Sequence, residues 1–588
     1  MLMRAVHEVC RFLQFCKIAA KASASREAEV FTATTELEPL IETLGKVTND
    51  LENYIEKEKK RLNVLENQLR LYKKEYVSST QDVPKYLENP INAFKIIKRL
   101  TTDLKFTERS IHIGAENIKS VALYSDDLMY PTLEDLKGSV AALTRLKNTY
   151  ELKINELAEG ILAGEACSIP MTSSDCFVLG KTLFEKRRFK TSKQWLMEAL
   201  RKYEAEGDVY DISFVDILQY IRNTYYKLNK DKAALEWTKK ISELNTNSTE
   251  TLKVIGNFHG DVDKKENTEA NNRTKIEKDE DFFMAQVLAH EVKVYEALCR
   301  GDIEIPQEIS KRLKCTFLTG THPFLKLAPI KMEQMYIGPD IYVFHQVISD
   351  EEIEHIKNMA KPKFQRAIIF DPQGRSRPAH YRISKSAWLS DRESPVVGRL
   401  SKRISHFTGL DMGTAELLQI GNYGIGGHYE PHFDFALSHV KPVGPFNENV
   451  GNRIATVLFY MSEVAQGGAT AFTELGLSVF PVKNSALFWM NLHPSGEGDI
   501  STRHAACPVL RGSKWVSNKW IHQVGQEFLK PCNLEHQKEG VMGKDPIPVK
   551  AKAKSEDHNE LLYSWYRSGG IQKLINRRQE QHLNEVQS

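Results

Sequence analysis

Long apolar runs are missing from this 588-residue sequence, since no stretch approaches the roughly 20 apolar residues that a bilayer span requires. The charge is also balanced, with 80 Lys and Arg against 77 Asp and Glu and a formal net charge of +3. There is no basic stripe with interleaved aromatic residues, which argues against nucleic acid as a partner. The length exceeds what one hydrophobic core serves, so about three or four domains are expected.

Cysteine is scarce, at eight residues, and none of them forms the Cys-x-x-Cys pattern of a metal site. The spacings favour two local disulfides, Cys299 with Cys315 and Cys507 with Cys532. Such pairs predict an oxidising compartment. The other cysteines have no assigned partner: Cys10, Cys16, Cys167 and Cys176.

The first 28 residues have a positive start and a run, Ala22-Ser23-Ala24, that would suit signal-peptidase cleavage. Charged residues interrupt the apolar part of this segment: Arg4, Glu8, Arg11 and Lys17. Residues 1–28 are therefore interpreted as an atypical signal or targeting segment.

A helical region is predicted over residues 29–160, and it begins with a heptad-like stripe. Apolar residues recur every seven positions and then continue in a shifted register: Leu37, Leu44, Leu51, Ile55, Leu62 and Leu69. Such a polar helix gains little stability until its stripe is covered. The stripe suits packing within its own domain or self-association, and we favour a dimerisation segment.

Residues 170–258 resemble helix pairs of the tetratricopeptide type, with Trp195 in one repeat and Trp237 in a second. Three tyrosines lie in this region: Tyr220, Tyr225 and Tyr226. Tyrosines on the concave face of such repeats bind polyproline II peptides, although ordinary core positions would also account for them. We predict a peptide-binding domain that uses these tyrosines.

Residues 342–532 contain short β-branched and aromatic segments punctuated by glycine, a pattern typical of a β-sandwich or jelly roll. The predicted strands are 417–420, 454–460, 477–480, 486–490 and 514–517. The whole chain is expected to be a multidomain α+β protein, with an N-terminal helical/coiled-coil region, a TPR-like α-helical domain and a C-terminal double-stranded β-helix.

Residues with metal-ligand chemistry lie inside this β-rich region. His432 and Asp434 are two positions apart, so an extended strand points both side chains the same way. A distant His504 would complete two imidazoles and one carboxylate, the facial triad of non-heme Fe(II) oxygenases. Lys514 would supply a fixed cation for the end of a dicarboxylate. His522 would face the same way as Lys514, with a core or edge histidine as the alternative.

Several motifs resemble the catalytic domain of the collagen prolyl 4-hydroxylase alpha subunits: NYGIGGHYEPHFDFA, NRIATVLFYMS, GGATAF, SGEGDISTRHAACPVLRGSKWVSNKWIH and GQEF. The resemblance implies a 2-oxoglutarate-dependent Fe(II) dioxygenase (procollagen-proline 4-dioxygenase). It would hydroxylate proline in X-Pro-Gly sequences of collagen-like chains and release succinate and CO2. It implies Fe(II) binding by His432, Asp434 and His504. It also implies that Lys514 binds the distal carboxylate of 2-oxoglutarate, that His522 assists cosubstrate placement and decarboxylation, and that L-ascorbate keeps the iron reduced.

The same resemblance implies a location in the endoplasmic reticulum lumen, a protein disulfide isomerase beta subunit as partner, and a second alpha subunit in an alpha2beta2 tetramer. Procollagen or another proline-rich chain is the implied substrate. The sequence ends without a Lys-Asp-Glu-Leu retention signal, so retention would depend on the partner. Asn223 stands where the family's row has another tyrosine.

The remaining segments connect these regions. Residues 259–281 are expected to be a polar linker, and residues 282–341 a helical connector with the first cysteine pair. Asn247 and Asn272 begin glycosylation sequons, and residues 533–588 form a basic C-terminal tail of unassigned role.

Three other interpretations are compatible with parts of the sequence. One is a peptide-binding chaperone with a degenerate oxygenase domain. It would not explain why all five polar residues of the expected site are intact: His432, Asp434, His504, Lys514 and His522. A zinc hydrolase would use the same three ligands but would leave Lys514 and His522 without a function. An oxygenase acting on lysine would not need the tyrosine-bearing repeats.

Overall fold

The computed structural model describes residues 30–80, 104, 106–111, 132–166, 168, 170–207, 212–244, 280–370, 376–378, 382–424, 426–436 and 449–532. Several predictions lie outside these residues: the 1–28 segment, Cys10, Cys16, Cys167, the sequons at Asn247 and Asn272, the linker up to residue 279 and the 533–588 tail. The chain divides into two compact units, residues 1–28 with 36–132 and residues 29–35 with 133–588.

One long helix, α1 (Glu38–Thr80), makes up most of the described part of the first unit. Its 43 residues are rich in Leu, Glu and Lys, which have high helix propensity. Apolar residues of the heptad positions are solvent-exposed in the single chain, Leu44 at 62% and Leu69 at 52%. The predicted helix is therefore present, with its apolar stripe on the surface.

The second unit contains these helices: α2 (Leu133–Thr149), α3 (Ile154–Ala158), α4 (Ser173–Glu185), α5 (Phe189–Glu206), α6 (Phe214–Lys227), α7 (Asp231–Leu244), α8 (Glu280–Arg300), α9 (Gln307–Ser310), α10 (Asp350–Ala360) and α11 (Pro395–Thr408). None of the helices that the structure describes is long and apolar enough to cross a membrane.

Helices α4 to α7 form the predicted repeat-like domain. Thr172 begins α4 with a capping box, because its side chain accepts from the Asp175 amide while the Asp175 carboxylate accepts from the Thr172 amide. Gly180 lets α5 approach closely, since a Cβ there would lie 2.6 Å from Leu196 Cγ. Trp195 and Ile217 are fully buried in the shared core. The repeat pattern in the sequence thus corresponds to two packed helix pairs.

The strands of the second unit are β1 (Ile161–Leu162), β2 (Glu165–Ala166), β3 (Cys315–Leu318), β4 (Ile330–Tyr336), β5 (Ile341–His345), β6 (Gln365–Arg366), β7 (Ile368–Phe370), β8 (Ser376–Pro378), β9 (Lys385–Leu389), β10 (Leu418–Tyr423), β11 (Tyr429–His432), β12 (Arg453–Tyr460), β13 (Gln466–Gly467), β14 (Thr470–Phe472), β15 (Leu477–Val479), β16 (Ala486–Met490), β17 (His504–Ala506), β18 (Val509–Arg511) and β19 (Lys514–His522).

Two sheets build the predicted jelly roll. The larger has the order β3-β4-β5-β16-β12-β19-β10-β9-β6, and the smaller has the order β11-β17-β14-β15. Strand β12 shows the two-residue alternation of a strand buried on both faces. Val457 and Phe459 join the core that α10 and α11 cover, whereas Leu458 and Tyr460 pack with Phe472 of the smaller sheet. Polar residues between the two sheets would be buried, so their presence there indicates a chemical role.

The predicted cysteine pairs are wrong. The structure joins Cys299, at the end of α8, to Cys507, directly after β17. Cys315 and Cys532 are exposed and carry no disulfide. The physical reason is that α8 packs on the smaller sheet, where Cys299 and Cys507 share a buried core with Ala505. This packing brings together positions 208 residues apart, so proximity in sequence did not identify the partners.

A short segment before α1 belongs to the second unit, and we call residues 30–35 the N-terminal strap. It contains one 3-10 turn, Val30–Thr32, and begins another, Thr34–Glu36. Thr32 and Ala33 are fully buried, which is unusual for a segment without a strand or long helix.

Candidate metal centre

Three side chains in the jelly roll form a group suited to one metal ion. Strands β11 and β17 are antiparallel, and their register sets His432 directly opposite His504. Asp434 follows two residues after the end of β11. One ligand atom from each of the three residues lies within 4.8 Å of the others. The residues that were predicted as a triad are therefore brought together.

Each histidine presents the same nitrogen toward the group. The Nδ1 atom of His432 lies 2.8 Å from the carbonyl oxygen of Glu430, and that of His504 lies 3.0 Å from the carbonyl oxygen of Thr502. A carbonyl oxygen only accepts, so Nδ1 is the donor and Nε2 is left as the ligand atom. The two Nε2 atoms lie 3.7 and 3.6 Å from the Asp434 carboxylate oxygens. These distances leave room for an ion between the groups.

The Asp434 carboxylate is fixed by a buried chain of hydrogen bonds. Thr456 donates its hydroxyl to Asp434 Oδ2 at 2.8 Å, and Asn491 donates to the Thr456 hydroxyl at 2.9 Å. Both residues come from the larger sheet side, Thr456 from β12 and Asn491 from just after β16. The larger sheet thus orients a ligand that the smaller sheet region supplies.

The electrostatics keep the ligands in the form that binds metal. Burial opposes ionisation of Asp434, but His504, His432 and Arg453 outweigh it and lower the pKa of the carboxyl to about 2. Burial, with His504 second, lowers the pKa of His432 well below its usual value. A neutral imidazole beside an ionised carboxylate is the protonation state that metal ligands require.

Aromatic rings hold both imidazoles in place. The Tyr429 ring stacks on His432 with centroids 3.6 Å apart, and the Trp489 ring meets His504 edge-on at 4.7 Å. Two imidazoles and one carboxylate on one side of an ion are the donor set of the 2-His-1-carboxylate Fe(II) oxygenases. The residues present therefore fit Fe(II).

Lys514 is a buried cation at the start of β19, only 1% exposed. Its Nζ lies 5.1 Å from the centre of the Tyr423 ring, and no carboxylate among the described residues forms an ion pair with it. Burial lowers the pKa of Lys514 to about 7. An ammonium buried without an ion-pair partner among the described residues is suited to receive a carboxylate from a ligand.

Tyr423 is close to this lysine and is affected by the charge of a metal-group residue. Burial raises the pKa of Tyr423 to about 12, and the charges of nearby Tyr429 and Asp434 contribute to the same direction. Tyr429 in turn stacks on His432. Tyr423 thus contacts the buried cation on one side and is influenced by the charge of the ligand Asp434 on the other.

His522 ends the same uninterrupted strand that Lys514 begins, and the even spacing gives both side chains one face. Its Nδ1 lies 2.8 Å from the carbonyl oxygen of Gly451, and its Nε2 lies 3.1 Å from Glu416 Oε1. Glu416 also accepts from Arg453, whose Nη2 lies 3.0 Å away. The imidazole is thus held firmly by its neighbours, and its predicted role in cosubstrate placement stays a prediction.

The three predicted peptide-binding tyrosines lie on α6 and are all half-buried. Tyr220 contacts the edges of Phe177 and Phe184, with ring centroids 5.5 Å from each. The Lys193 ammonium lies 5.6 Å from the centre of the Tyr225 ring. Tyr220 therefore contributes to packing as well as to the surface, and peptide binding by the three tyrosines stays a prediction.

Sequence reasoning missed the residues that support the ligands: Thr456, Asn491, Tyr429 and Trp489. None of them belongs to a recognisable ligand pattern. The β12–β16 register, which pairs Thr456 with Trp489, would have brought them to the site, but it requires the sheet order to be known first. The predicted strands at 454–460 and 486–490 were the only sequence signal for the location of Thr456 and Trp489.

The jelly roll and this triad define a class of protein, because residues 418–522 match the model of the 2OG-Fe(II) oxygenase superfamily. The protein is thus a 2-oxoglutarate-dependent Fe(II) dioxygenase. Residues 33–164 match the prolyl 4-hydroxylase alpha-subunit N-terminal region, and residues 173–259 match the prolyl 4-hydroxylase peptide-substrate-binding domain.

Whole-length relatives narrow the class to a family. The chain is 40% identical over 533 residues to prolyl 4-hydroxylase subunit alpha-2 of Caenorhabditis elegans, covering 87% of this chain and 94% of the relative. It is 42% identical over 468 residues to subunit alpha-1 of Gallus gallus, covering 78% and 89%. For subunit alpha-1 of Homo sapiens the values are 42% over 469 residues, covering 78% and 86%. The chain belongs to the prolyl 4-hydroxylase alpha-subunit family.

Proposed function

We propose that the chain is the catalytic alpha subunit of a procollagen-proline 4-dioxygenase, which converts proline in X-Pro-Gly sequences to 4-hydroxyproline. The observation that carries the proposal is the buried, unpaired ammonium of Lys514 in the same jelly roll as a triad of His432, Asp434 and His504. A metal hydrolase with this triad would have no use for such a cation. A cosubstrate with a free carboxylate gives it a partner.

Fe(II), bound by the triad, supplies the oxidation chemistry, in which O2 and 2-oxoglutarate yield succinate, CO2 and one oxygen atom for the hydroxyl group on proline C4. The chain's own residues set the geometry. Thr456 holds Asp434 through the 2.8 Å hydrogen bond, so that the carboxylate keeps one orientation through the reaction. Tyr429 and Trp489 pack against the imidazoles of His432 and His504 and keep both rings in fixed orientations.

Lys514 binds the distal carboxylate of 2-oxoglutarate as an ammonium. The ion pair forms in a buried pocket, where a charge-assisted hydrogen bond is stronger than at the surface. His522, on the same face of β19, assists placement of the cosubstrate and its decarboxylation. Its hydrogen bonds to Gly451 and Glu416 would keep the ring in a fixed position for that purpose.

The helix pairs α4 to α7 bind the proline-rich peptide through Tyr220, Tyr225 and Tyr226. Polyproline II peptides are already extended, so their rings pack on aromatic surfaces with little ordering cost. The match of residues 173–259 to a peptide-substrate-binding domain supports this assignment. The peptide-binding and catalytic regions together would hold a long substrate at two points.

We extend the proposal to the assembly. The exposed apolar stripe of α1 supports self-association of two alpha subunits, and a protein disulfide isomerase beta subunit would complete an alpha2beta2 tetramer. The buried disulfide between Cys299 and Cys507 supports an oxidising location, the endoplasmic reticulum lumen. L-ascorbate would reduce iron that is oxidised in turnovers without peptide hydroxylation.

The test measures succinate release by the full chain with its beta subunit, Fe(II), ascorbate and 2-oxoglutarate. A (Pro-Pro-Gly)-type peptide should stimulate succinate release and gain 4-hydroxyproline in equal amounts. A matched peptide with lysine at the target position should not. Release that no peptide stimulates, or hydroxylation of lysine instead, would contradict the proposed substrate.

A further inference from the structure

The N-terminal strap, residues 30–35, contacts the jelly roll beside the buried lysine. Thr34 donates its hydroxyl to Asn422 Oδ1 at 3.1 Å and lies 2.7 Å from the Ser513 hydroxyl. Ser513 directly precedes Lys514, and Asn422 Nδ2 lies 3.4 Å from the carbonyl oxygen of Lys514. The Thr34 hydroxyl thus contacts Ser513, the residue before β19, and Asn422 of β10, whose side chain contacts the Lys514 backbone.

The backbone of the strap fits against a glycine. A Cβ added to Gly424 would lie 1.9 Å from the carbonyl oxygen of Phe31 and 2.5 Å from the carbonyl carbon of Thr32. Real Cβ atoms do not approach other atoms so closely, so only glycine fits here while the strap is in place. This close packing gives a physical reason for a glycine at position 424, shortly before the metal ligands His432 and Asp434.

Gly426, two residues after Gly424, is contacted by α2. Arg145 Nη1 donates to the carbonyl oxygen of Gly426 at 2.7 Å. The Phe31 ring packs over Gly138 of α2, where a Cβ would lie 2.4 Å from the ring. Gly424 and Gly426, which lie between β10 and β11, are therefore in contact with two elements from far earlier in the sequence, the strap and α2.

We propose that the strap is a built part of the cosubstrate pocket, in which Thr34 is a positioning residue that acts on Lys514 through Ser513 and Asn422. The inference rests on the proposed binding of 2-oxoglutarate by Lys514. Thr34 touches neither the cosubstrate nor the metal. Its effect comes from fixing the first residue of β19, and with it the direction from which the ammonium meets a carboxylate.

The test compares Thr34→Val with Thr34→Ser in the full chain with its beta subunit. Valine keeps the volume but removes the hydroxyl, so KM for 2-oxoglutarate should rise about fivefold, the cost of one hydrogen bond, while kcat and the peptide KM stay within about twofold. Thr34→Ser keeps the hydroxyl and should behave as the wild type. Thr48→Val is the matched control, since Thr48 is exposed on α1 and bonds only its own helix.

A second readout does not depend on turnover. Calorimetric binding of 2-oxoglutarate to the Mn(II)-loaded protein should weaken by the same factor in Thr34→Val and in Gly424→Ala. Unchanged binding in Thr34→Val, or equal losses in Thr34→Val and Thr34→Ser, would overturn the role of the strap alone. A wild-type protein that binds no 2-oxoglutarate would overturn the proposed function as well.

Discussion

If Lys514 binds the distal carboxylate as proposed, the affinity for 2-oxoglutarate should fall as the pH rises above 7, because the Lys514 ammonium of the free protein then loses its proton. Burial lowers the pKa of Lys514 from 10.5 to about 7. This difference corresponds to about 5 kcal/mol of lost hydration, which no carboxylate among the described residues offsets. Bound 2-oxoglutarate provides the missing opposite charge and raises the pKa again.

The magnitude follows from this linkage. Between pH 7 and the pKa of the complex, the dissociation constant should rise about tenfold per pH unit, since only the protonated fraction binds. At pH 8 about nine in ten free chains carry a neutral amine, so binding should take up roughly 0.9 proton for each 2-oxoglutarate. The stability of the fold should change with pH in the opposite direction to the affinity for 2-oxoglutarate. Without 2-oxoglutarate, the unfolded chain binds more protons between pH 7 and 10.5, so the free energy of unfolding should rise with pH there.

The assay is calorimetric titration of the Mn(II)-loaded protein with 2-oxoglutarate from pH 6 to 9, in buffers that differ in ionisation enthalpy. Lys514→Arg is the control, because guanidinium stays charged over this range. Its affinity should be lower, since a planar fork does not replace an ammonium, but nearly independent of pH. A wild-type affinity that is constant from pH 7 to 9, without proton uptake, would refute the assignment of Lys514.

Three further predictions concern other parts of the chain. Asp434→Ala should abolish metal binding and turnover with an unchanged circular dichroism spectrum, and retained activity would contradict the triad. Thr456→Val should weaken metal affinity by about 10-fold or more in a competition titration, because it removes the hydrogen bond that orients Asp434. Tyr226→Ala should raise KM for long proline-rich peptides but not for short ones, with kcat unchanged, and equal effects on both lengths would count against a separate peptide site. Cys507→Ser should lower the free energy of unfolding by about 2–4 kcal/mol in a denaturant titration, whereas Cys532→Ser, at an exposed free thiol, should change it little.

The sequence was sufficient to predict elements whose signal is local. The strand at 486–490 appears with the same bounds, and α1 appears where the heptad stripe indicated a helix. The triad was also predictable, because His432 and Asp434 share a short spacing. Resemblance to a family then identified His504 and Lys514, which no local pattern joins to them.

Features that depend on packing between distant segments were not predictable in this way. The cysteine pairs were assigned by proximity in sequence, but α8 carries Cys299 to the smaller sheet and pairs it with Cys507. Gly138 lies inside α2, where it makes room for the Phe31 ring, a contact that no local sequence pattern indicates. Thr456 and Asn491 carry no signal until the order of the sheet brings them beside Asp434.

The disulfide at Cys507 limits which fragments of the protein can be expressed with an intact metal site. Only two residues, Ala505 and Ala506, separate this cysteine from the ligand His504, and its partner lies on α8, before residue 342. Arg503, the neighbour of that ligand, donates from Nε to Glu291 Oε1 of α8 at 2.6 Å. An expressed fragment starting at residue 342 would contain every metal ligand, yet it would have a new free thiol and no Glu291 at the strand that holds one of them. A fragment needs α8 to keep the disulfide and the Glu291 contact, and it needs the strap and α2 as well to keep the contacts at Gly424 and Gly426.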